Sequence, residues 1–294
     1  MTAVRLSRPA DLPAFEALAG PFLAAREAEH NLMLGICTNL RSRSYGAEPP
    51  YFAIVSAGDR LVAAALRTPP FNIVISMVDD PAALPLLTDD VRREYPELPG
   101  VLAEKEVARA FVELWGERTG SKGRLKTAER NFQCTRVVPP RPVSGRLRPA
   151  APADRAVLAE WLTSFSQEAL GESVDAAQAG RMADWWLEAR ERRMSIWEDE
   201  GRAASMCGAS GETPNGIRIG AVYTPPELRG RGYASACVAA LSQAQLDRGR
   251  RSCFLFTDLA NPTSNKIYRD IGYEPVCDVD EYRFDLPPTS KEMT

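Results

Sequence analysis

The sequence predicts a mixed α/β or α+β protein built from two similar halves. Its 294 residues are enough for about two domains of roughly 100 to 200 residues each. Two segments at a fixed offset repeat one pattern of strand, turn and strand, and the second half alternates short apolar strands with helices of amphipathic spacing. Together these observations favour a duplicated domain over a single large one.

The internal repeat lies at an offset of 142 residues. Residues 54–64 and 196–206 align without gaps, and each predicts a strand, a tight turn containing glycine, and a second strand. Upstream, residues 5–11 and 146–154 form a second similar pair. Each predicts a short strand followed by a helix capped by an aspartate. The pattern predicts two halves of one fold.

A proline-rich segment separates the two halves. Pro139, Pro140 and Pro142 stand within four positions, which excludes a helix and disfavours a central strand. We therefore predict a first domain at 1–138, a short stiff linker at 139–145 and a second domain at 146–294.

The elements of the second half follow from its apolar pattern. Residues 217–223 and 253–257 are apolar runs of strand length, whereas 232–247 carries apolar residues at the 3-4 spacing of one buried helix face. The predicted strands are 145–149, 194–198, 202–210, 217–223, 253–257 and a terminal strand region around 273–284. The predicted helices are 153–169, 175–193, 232–247 and 263–271.

Charge and composition exclude several classes of function. The net charge is −3 and the basic residues are scattered, so we expect no nucleic-acid partner. His30 is the only histidine, which excludes sites built on several histidines and favours a structural role for it. Six single cysteines lack metal or disulfide spacing, so we expect buried thiols and no metal.

No apolar run reaches the ~18 residues of a spanning helix, and the amino terminus is charged, so we expect no membrane partner and a cytoplasmic protein.

The segment 219–235 carries the most chemical information. An apolar strand ends at two prolines, a basic turn with Gly230 and Gly232 follows, and an amphipathic helix begins directly after it. The exposed N–H groups and the positive dipole end of a helix start bind anions, and glycines let a phosphate approach closely. Arg229 and Arg231 add positive charge suited to a pyrophosphate. A dinucleotide-binding fingerprint and a P-loop are disfavoured, since the third glycine and a Gly-Lys-Ser/Thr are missing.

A second motif lies downstream of this loop. Residues 254–273 predict a strand, a short loop and a helix that ends at a glycine. The two motifs, in this order, resemble the Gcn5-related N-acetyltransferase (GNAT) family over residues 145–285. The first is similar to the family's acetyl-CoA pyrophosphate loop, R/Q-x-x-G-x-G/A, and the second to its N-x(6)-Y helix followed by glycine and an aromatic. The matching residues are Arg229, Gly232 and Ala234, then Asn261, Tyr268, Gly272 and Tyr273.

The resemblance implies tandem GNAT-like folds, each with a central, mostly antiparallel twisted sheet and flanking helices, and acetyl-CoA as co-substrate without a metal. It implies that the backbone of Val222 and Tyr223 holds the pantetheine arm and polarises the acetyl carbonyl. It also implies that Asn261 and Asn265 contact the coenzyme, although Asn261 before Pro262 also suits a helix cap. The loop residues whose amides would bind the pyrophosphate are Arg229, Gly230, Arg231, Gly232, Tyr233 and Ala234.

The resemblance makes Tyr268 the candidate general acid. A phenol can donate a proton or a hydrogen bond to the leaving thiolate, although the spacing to Ile271 also suits a buried aromatic. Family members often carry a glutamate on the fourth strand, but residues 217–224 contain no acid. The general base therefore stays open among Glu212, Glu227, Asp258 and a water chain.

The first half looks like a degenerate copy. Residues 82–93 stand where the glycine loop is expected, contain no glycine, and carry Asp89 and Asp90, which would repel phosphate. Residues 104–116 still show the pattern of the later amphipathic helix. We expect a domain of the same fold that has lost coenzyme binding.

The leading hypothesis is an acetyl-CoA-dependent N-acetyltransferase that acts by direct transfer to a primary amine. The acceptor stays open between a small-molecule amine, an amino acid and a peptide, and the protein is expected to be a monomer or a homodimer. Trp185, Trp186 and Trp197 either line an acceptor pocket or pack in the core. The alternatives are a non-catalytic acyl-CoA-binding regulatory module and an acyltransferase of the same fold with another acyl donor. The lack of a basic face argues against aminoacyl-tRNA as that donor.

Overall fold

A computed structural model describes residues 3–42, 46–188 and 193–285. Within these ranges the chain forms two compact units. The first contains residues 3–131, 257–261 and 276–285, and the second contains residues 132–256 and 262–275. The first unit therefore includes residues from both sides of the proline-rich segment, which the predicted division into 1–138, 139–145 and 146–294 does not describe.

The first unit is a sheet with helices on both faces. Its strands are β1 (Val4–Ser7), β2 (Tyr51–Ala57), β3 (Arg60–Arg67), β4 (Ile73–Ile75), β5 (Gly100–Glu104), most of β6 (Gly123–Cys134) and most of the last strand, β12 (Glu274–Phe284). Its helices are α1 (Leu12–Ala25), α2 (Asn31–Leu40), α3 (Ala83–Glu94) and α4 (Lys105–Thr119).

The strand order of this sheet is β1-β2-β3-β4-β5-β12-β6. The β1/β2, β2/β3, β3/β4 and β5/β12 pairs are antiparallel, whereas β4 and β5 are parallel. Successive side chains of a strand point to opposite faces, and β2 buries both. Tyr51 and Val55 belong to one core cluster with Phe111 of α4, and Phe52 belongs to another with Phe15 of α1.

The second unit repeats this arrangement. Its strands are β7 (Arg146–Pro149), β8 (Arg193–Asp199), β9 (Arg202–Glu212), β10 (Gly216–Tyr223) and most of β11 (Ser252–Asp258), in the order β11-β10-β9-β8-β7. Its helices are α5 (Arg155–Phe165), α6 (Ala176–Glu188), α7 (Tyr233–Asp247) and α8 (Pro262–Asp270). The β7/β8, β8/β9 and β9/β10 pairs are antiparallel, and β10 and β11 are parallel.

Both faces of the second sheet are covered by helices. Ile196 belongs to the core cluster that includes Leu158 of α5 and Ala183 of α6, whereas its neighbour Trp197 belongs to the cluster that includes Cys237 of α7. The predicted fold class, a mostly antiparallel sheet with flanking helices in each half, is confirmed.

The repeated hairpins are confirmed in detail. Ala57 pairs with Arg60 in the first unit, and Asp199 pairs with Arg202 in the second, at the predicted offset of 142. Each hairpin also has a register shift at the corresponding position, after Val55 and after Trp197. The similarity of sequence therefore reflects the same backbone path.

Several predicted elements differ from those observed. The aspartate cap is present at Asp11, whose carboxylate accepts the Ala14 N–H (2.8 Å), but the Asp154 side chain makes no such bond to its helix. Asp154 instead binds Arg148 through two contacts of 2.7 and 2.9 Å. The helix predicted at 153–169 ends at Phe165 and continues as one π-helical turn. Of the helix predicted at 175–193, residues 189–192 lie outside the described ranges.

The cysteines are buried as predicted. All six are free thiols and five of them are buried. Burial raises the pKa of Cys253 to about 12 and that of Cys134 to about 11, so both stay protonated near neutral pH. Among the described residues, no helix is long and apolar enough to cross a membrane.

Candidate active site

A glycine-rich loop connects β10 to α7 in the second unit. After β10 ends at Tyr223, a short 3-10 turn at Pro226–Leu228 leads to the exposed residues 229–232. Gly230 and Gly232 have φ angles of +75° and +88°, in the left-handed region that favours glycine. The helix begins at the next residue. The local structure thus has the turn and the helix start that the sequence predicts.

The start of α7 presents backbone N–H groups. The first bond of the helix runs from the Ala236 N–H to the Gly232 carbonyl (3.0 Å). The amides of Tyr233, Ala234 and Ser235 therefore have no acceptor within the helix, and Gly232 has no side chain to cap them. With the positive end of the helix dipole, these amides can bind a phosphate group.

The side chains of the two loop arginines form hydrogen bonds with other groups of the protein. The Arg229 guanidinium pairs with Glu168 (2.7 Å) and donates to the Thr224 carbonyl (2.9 Å). Arg231 donates to the Glu227 carbonyl (3.3 Å). The Arg229 side chain therefore positions the loop here, whereas the sequence predicted that it would supply charge to a pyrophosphate.

Tyr233 anchors the first turn of α7. Its hydroxyl donates to Asp199 (2.5 Å), which also accepts from the Ser144 hydroxyl (3.0 Å). The hydrogen bond to the Asp199 carboxylate raises the pKa of Tyr233, so this phenol remains a donor. The helix start is therefore fixed to the end of β8.

The strand before the loop contains a β-bulge. The parallel register between β10 and β11 covers Gly216 to Arg218, before the bulge. Between Gly220 and Tyr223, β10 has one residue more than β9 opposite it, and Ala221 has a φ of +49°. A bulge turns peptide groups out of the sheet ladder, and such strain is typical of functional sites. The bulge lies beside Val222 and Tyr223, whose backbone the resemblance assigns to the acetyl carbonyl; that assignment remains a prediction.

Two hydroxyls hold the end of the bulged strand. The Ser205 hydroxyl, fully buried on β9, donates to the Tyr223 carbonyl (3.0 Å) and accepts from the Thr224 hydroxyl (2.9 Å). This network fixes the peptide that follows Tyr223. Sequence reasoning missed Ser205, because a single serine in an apolar strand carries no signal of such a contact.

Aromatic side chains cover the bulge on the α5–α6 face of the sheet. The Trp186 ring lies directly over Gly208, where a Cβ would come within 2.4 Å of it. Gly208 is the residue opposite Gly220, at the start of the bulge. Trp161 packs against Tyr223, with ring centroids 6.1 Å apart. Trp197, on the other face, donates to a backbone carbonyl of the linker and is a core residue.

Tyr268 lies in the core of the second unit, on α8. It is 9% exposed, and its ring packs against Phe132 and Tyr273 with centroids 6.5 and 6.0 Å away. Burial raises the pKa of Tyr268, so the phenol is protonated at neutral pH. Within the described ranges, no group hydrogen-bonds to its hydroxyl. The side chain therefore combines a packed ring with an available donor.

The two predicted asparagines occupy different positions. Asn261 is exposed and directly precedes the first residue of α8, the position of a helix cap, and its segment 257–261 is counted with the first unit. Asn265 is half-buried one turn before Tyr268, so these two side chains share one face of α8. The predicted coenzyme contacts of both asparagines remain predictions.

The structure narrows the choice of general base. Glu212 forms an ion pair with Arg250 at the far end of β10, about four residues or roughly 13 Å along the strand from the bulge. Glu212 is therefore too distant to serve there. Glu227 is exposed in the glycine-rich loop, and Asp258 is exposed at the end of β11, so these and a water chain remain candidates.

The first unit has a bulge of the same kind, and a histidine accepts a hydrogen bond from an amide of that bulge. From Ser76 to Asp79 the chain has one residue more than β3 opposite it. The Met77 N–H, freed by this bulge, donates to Nε2 of His30 (3.1 Å). His30 is 3% exposed, and its Nδ1 lies 3.0 Å from the Leu23 carbonyl. Burial lowers the pKa of His30, so its neutral form accepts from Met77 and donates to Leu23.

A carboxylate of the first unit also accepts a hydrogen bond from an amide at the start of α3. The Asp80 carboxylate accepts the Ala82 N–H (3.0 Å), one residue before α3. The sequence assigned phosphate repulsion to Asp89 and Asp90 in a loop, but both lie within α3 and pair with arginines. The carboxylate that binds an amide at the start of α3 is therefore that of Asp80.

Comparison with known proteins identifies the fold. The sequence profile of the acetyltransferase (GNAT) family matches residues 156–273, which include the glycine-rich loop and all of α8. Residues 156–273 of this chain belong to the GNAT family. No curated protein matches the chain.

Solved structures with the GNAT fold extend over nearly the whole chain. A GCN5-related N-acetyltransferase from Sphaerobacter thermophilus has a TM-score of 0.62 at 20% identity, covering 97% of this chain and 96% of that one. One from Kribbella flavida has a TM-score of 0.57 at 16% identity, covering 89% and 95%. A tandem GNAT protein from the clavulanic acid biosynthesis pathway has a TM-score of 0.56 at 14% identity, covering 96% and 98%. These similarities show the fold of the chain.

Proposed function

We propose that this GNAT protein is an acetyl-CoA-dependent N-acetyltransferase that acts on a primary amine. The observation that carries the proposal is the combination of a strained bulge at Ala221 with a glycine-rich helix start at Gly232, at the two ends of one loop. The bulge supplies donors for a thioester carbonyl, and the helix start supplies donors for a pyrophosphate.

The chain's own residues fit this coenzyme. Gly230 and Gly232 are exposed, and a Cβ built on Gly230 meets nothing within 4 Å, so the loop leaves room for a phosphate group. The ion pair of Arg229 and the anchor of Tyr233 hold the amides in place before a ligand arrives, which lowers the ordering cost of binding.

The proposed reaction is a direct transfer. The amine nitrogen attacks the thioester carbonyl, a C–N bond forms, the C–S bond breaks, and the amine loses a proton while the leaving thiolate gains one. Backbone donors at Val222 and Tyr223, beside the bulge, stabilise the oxyanion, and the Tyr268 hydroxyl donates to the leaving sulfur. Glu227, Asp258 or a water chain takes the amine proton.

The tryptophans considered for an acceptor pocket pack in the core instead. Trp161 and Tyr223 are buried in one apolar cluster, and Trp186 and Ala221 pack against it. The acceptor of the proposed transfer therefore stays open between a small-molecule amine, an amino acid and a peptide.

A second candidate function is an acyl-CoA-binding module without turnover. The observation that favours it is that β10 itself carries no acid and that Glu212 is paired with Arg250. Another acyl-CoA as donor is the third candidate.

A thiol-release screen separates these functions. The full chain is incubated with acetyl-CoA, or with a longer acyl-CoA, and a panel of amines, amino acids and peptides. Acceptor-dependent release of free thiol supports the transferase. Coenzyme binding by calorimetry without release from any acceptor favours the binding module, and the absence of binding contradicts both.

A further inference from the structure

The second unit contains a cavity far from the glycine-rich loop. It has a volume of about 450 Å³ and lies between the β9–β10 turn, the connection from α7 to β11, and the first residue of β8. Gly216 begins β10 here, and the bulge begins five residues later at Ala221, roughly 17 Å along the strand. The cavity is therefore distinct from the proposed coenzyme site.

The lining of this cavity is strongly basic. Four arginines contribute to it, Arg193, Arg248, Arg250 and Arg251, against one acid, Glu212. Arg250 pairs with Glu212 and also donates to the Gly216 carbonyl (3.1 Å), so these two charges neutralise each other. Within the described ranges, Arg193, Arg248 and Arg251 have no acidic partner.

The backbone that carries two of these arginines is held in place. Gly249 has a φ of +92°, which reverses the chain after α7, and its N–H donates to the Leu246 carbonyl (2.9 Å). The Arg251 N–H donates to the Asn215 carbonyl (2.7 Å) in the facing turn. The α7–β11 connection and the β9–β10 turn therefore form one fixed frame around the cavity.

Compensation of the helix dipole explains only part of this charge. A cation near the carboxy end of a helix is stabilising, and Arg248 at the cap of α7 suits that role. Arg193 comes from the start of β8, and Arg251 comes from the residue before β11, so the charges converge from three elements. Convergence on one concave surface is typical of a ligand site.

We propose that this cavity binds a small oxyanion with at least two negative charges. Guanidinium groups match phosphate and carboxylate oxygens through paired hydrogen bonds, and a volume of this size suits a small molecule. A phosphate ester and a di- or tricarboxylate share this chemistry, and the test distinguishes them.

The experiment titrates the full chain with inorganic pyrophosphate and, separately, with citrate, by calorimetry at 0.15 M salt. The double variant R248Q/R251Q is compared with R202Q/R269Q, which removes the same charge from exposed arginines elsewhere. We expect R248Q/R251Q to weaken binding by at least about tenfold and the control pair to leave it unchanged. The anion that binds more tightly identifies the class.

A third variant distinguishes anion binding in this cavity from anion binding at the glycine-rich loop. Gly232→Ala changes the loop, so binding that persists in Gly232→Ala and is lost in R248Q/R251Q supports the cavity. Loss of all pyrophosphate binding in Gly232→Ala would place the anion on the loop and overturn the proposal. Equal weakening in both double variants, or no binding by the wild-type chain, would overturn it as well.

Discussion

Replacing Tyr268 by phenylalanine tests the proposed chemistry directly, because a matched tyrosine lies beside it. Tyr268 and Tyr273 are both buried, and their ring centroids are 6.0 Å apart. The Tyr273 hydroxyl hydrogen-bonds to the Ser242 hydroxyl (2.7 Å), whereas no group in the described ranges binds that of Tyr268. The same deletion of one oxygen should therefore have opposite consequences at the two positions.

The expected magnitudes follow from these contacts. Tyr273→Phe leaves the fully buried Ser242 hydroxyl without its partner, which should lower the free energy of unfolding by about 1–3 kcal/mol and leave kcat nearly unchanged. Tyr268→Phe keeps the ring packing, so it should cost less than about 1 kcal/mol of stability. It removes the donor to the leaving sulfur, and general acid catalysis contributes roughly 100-fold to 10,000-fold to the rate.

The assay measures kcat under conditions where chemistry limits the rate, coenzyme affinity by calorimetry, and stability by urea unfolding. A large fall in kcat for Tyr268→Phe, with little change in affinity, indicates an interaction made in the transition state. If Tyr268→Phe kept near wild-type kcat, the hydroxyl would have no role in catalysis and the leaving sulfur would take its proton from water.

Three further predictions concern the loop and the first unit. Gly232→Ala should weaken coenzyme binding far more than Gly201→Ala, because only Gly232 belongs to the anion site; equal affinities by calorimetry would contradict this. The positive φ costs about 1–2 kcal/mol at both positions, and a Cβ at Gly232 also comes within 2.9 Å of a Val143 methyl, so the affinities are compared on protein shown to be folded. The full chain should bind one coenzyme, because His30 and Asp80 already accept hydrogen bonds from the corresponding backbone amides of the first unit. A stoichiometry near two would show that the first unit also binds the coenzyme. Because folding lowers the pKa of His30, the His30 contribution to stability should fall as the pH drops below 6.5 and level off below the folded pKa, whereas the contributions of paired carboxylates such as Asp278 are lost at more acidic pH. His30→Gln should reduce the dependence just below pH 6.5 in urea unfolding at several pH values.

The sequence predicts the fold and the loop well because both depend on local pattern. Residues close together in the chain determine the hairpins at 54–64 and 196–206, the glycine-rich loop, and the end of α8 just before Gly272. Gly272 illustrates this, since its φ of +97° requires glycine and a Cβ there would meet the Arg136 carbonyl.

The sequence predicts the contacts of single side chains poorly. Arg229 carries the pattern of a phosphate ligand, but Glu168, 61 residues earlier, binds its guanidinium. His30 reaches Met77 across 47 residues, and no local pattern reveals that contact. Such pairings depend on how helices pack on the sheet, which spacing along the chain does not specify.

The two units share a bulge followed by a helix start, but they differ in whether side chains bind the amides there. Each has a bulge on or directly after its fourth strand, and a helix starts soon afterwards. Met77 and the first residues of α7 therefore have amides outside regular pairing. In the first unit a neutral imidazole and a carboxylate satisfy such donors, and a buried donor with a partner stabilises the fold. In the second unit Ala221 keeps a strained φ, and the exposed helix start has no side-chain cap, which lowers stability. Sites that bind ligands commonly retain such local costs, so from this asymmetry between two similar folds we expect the second unit to be the one that binds a ligand.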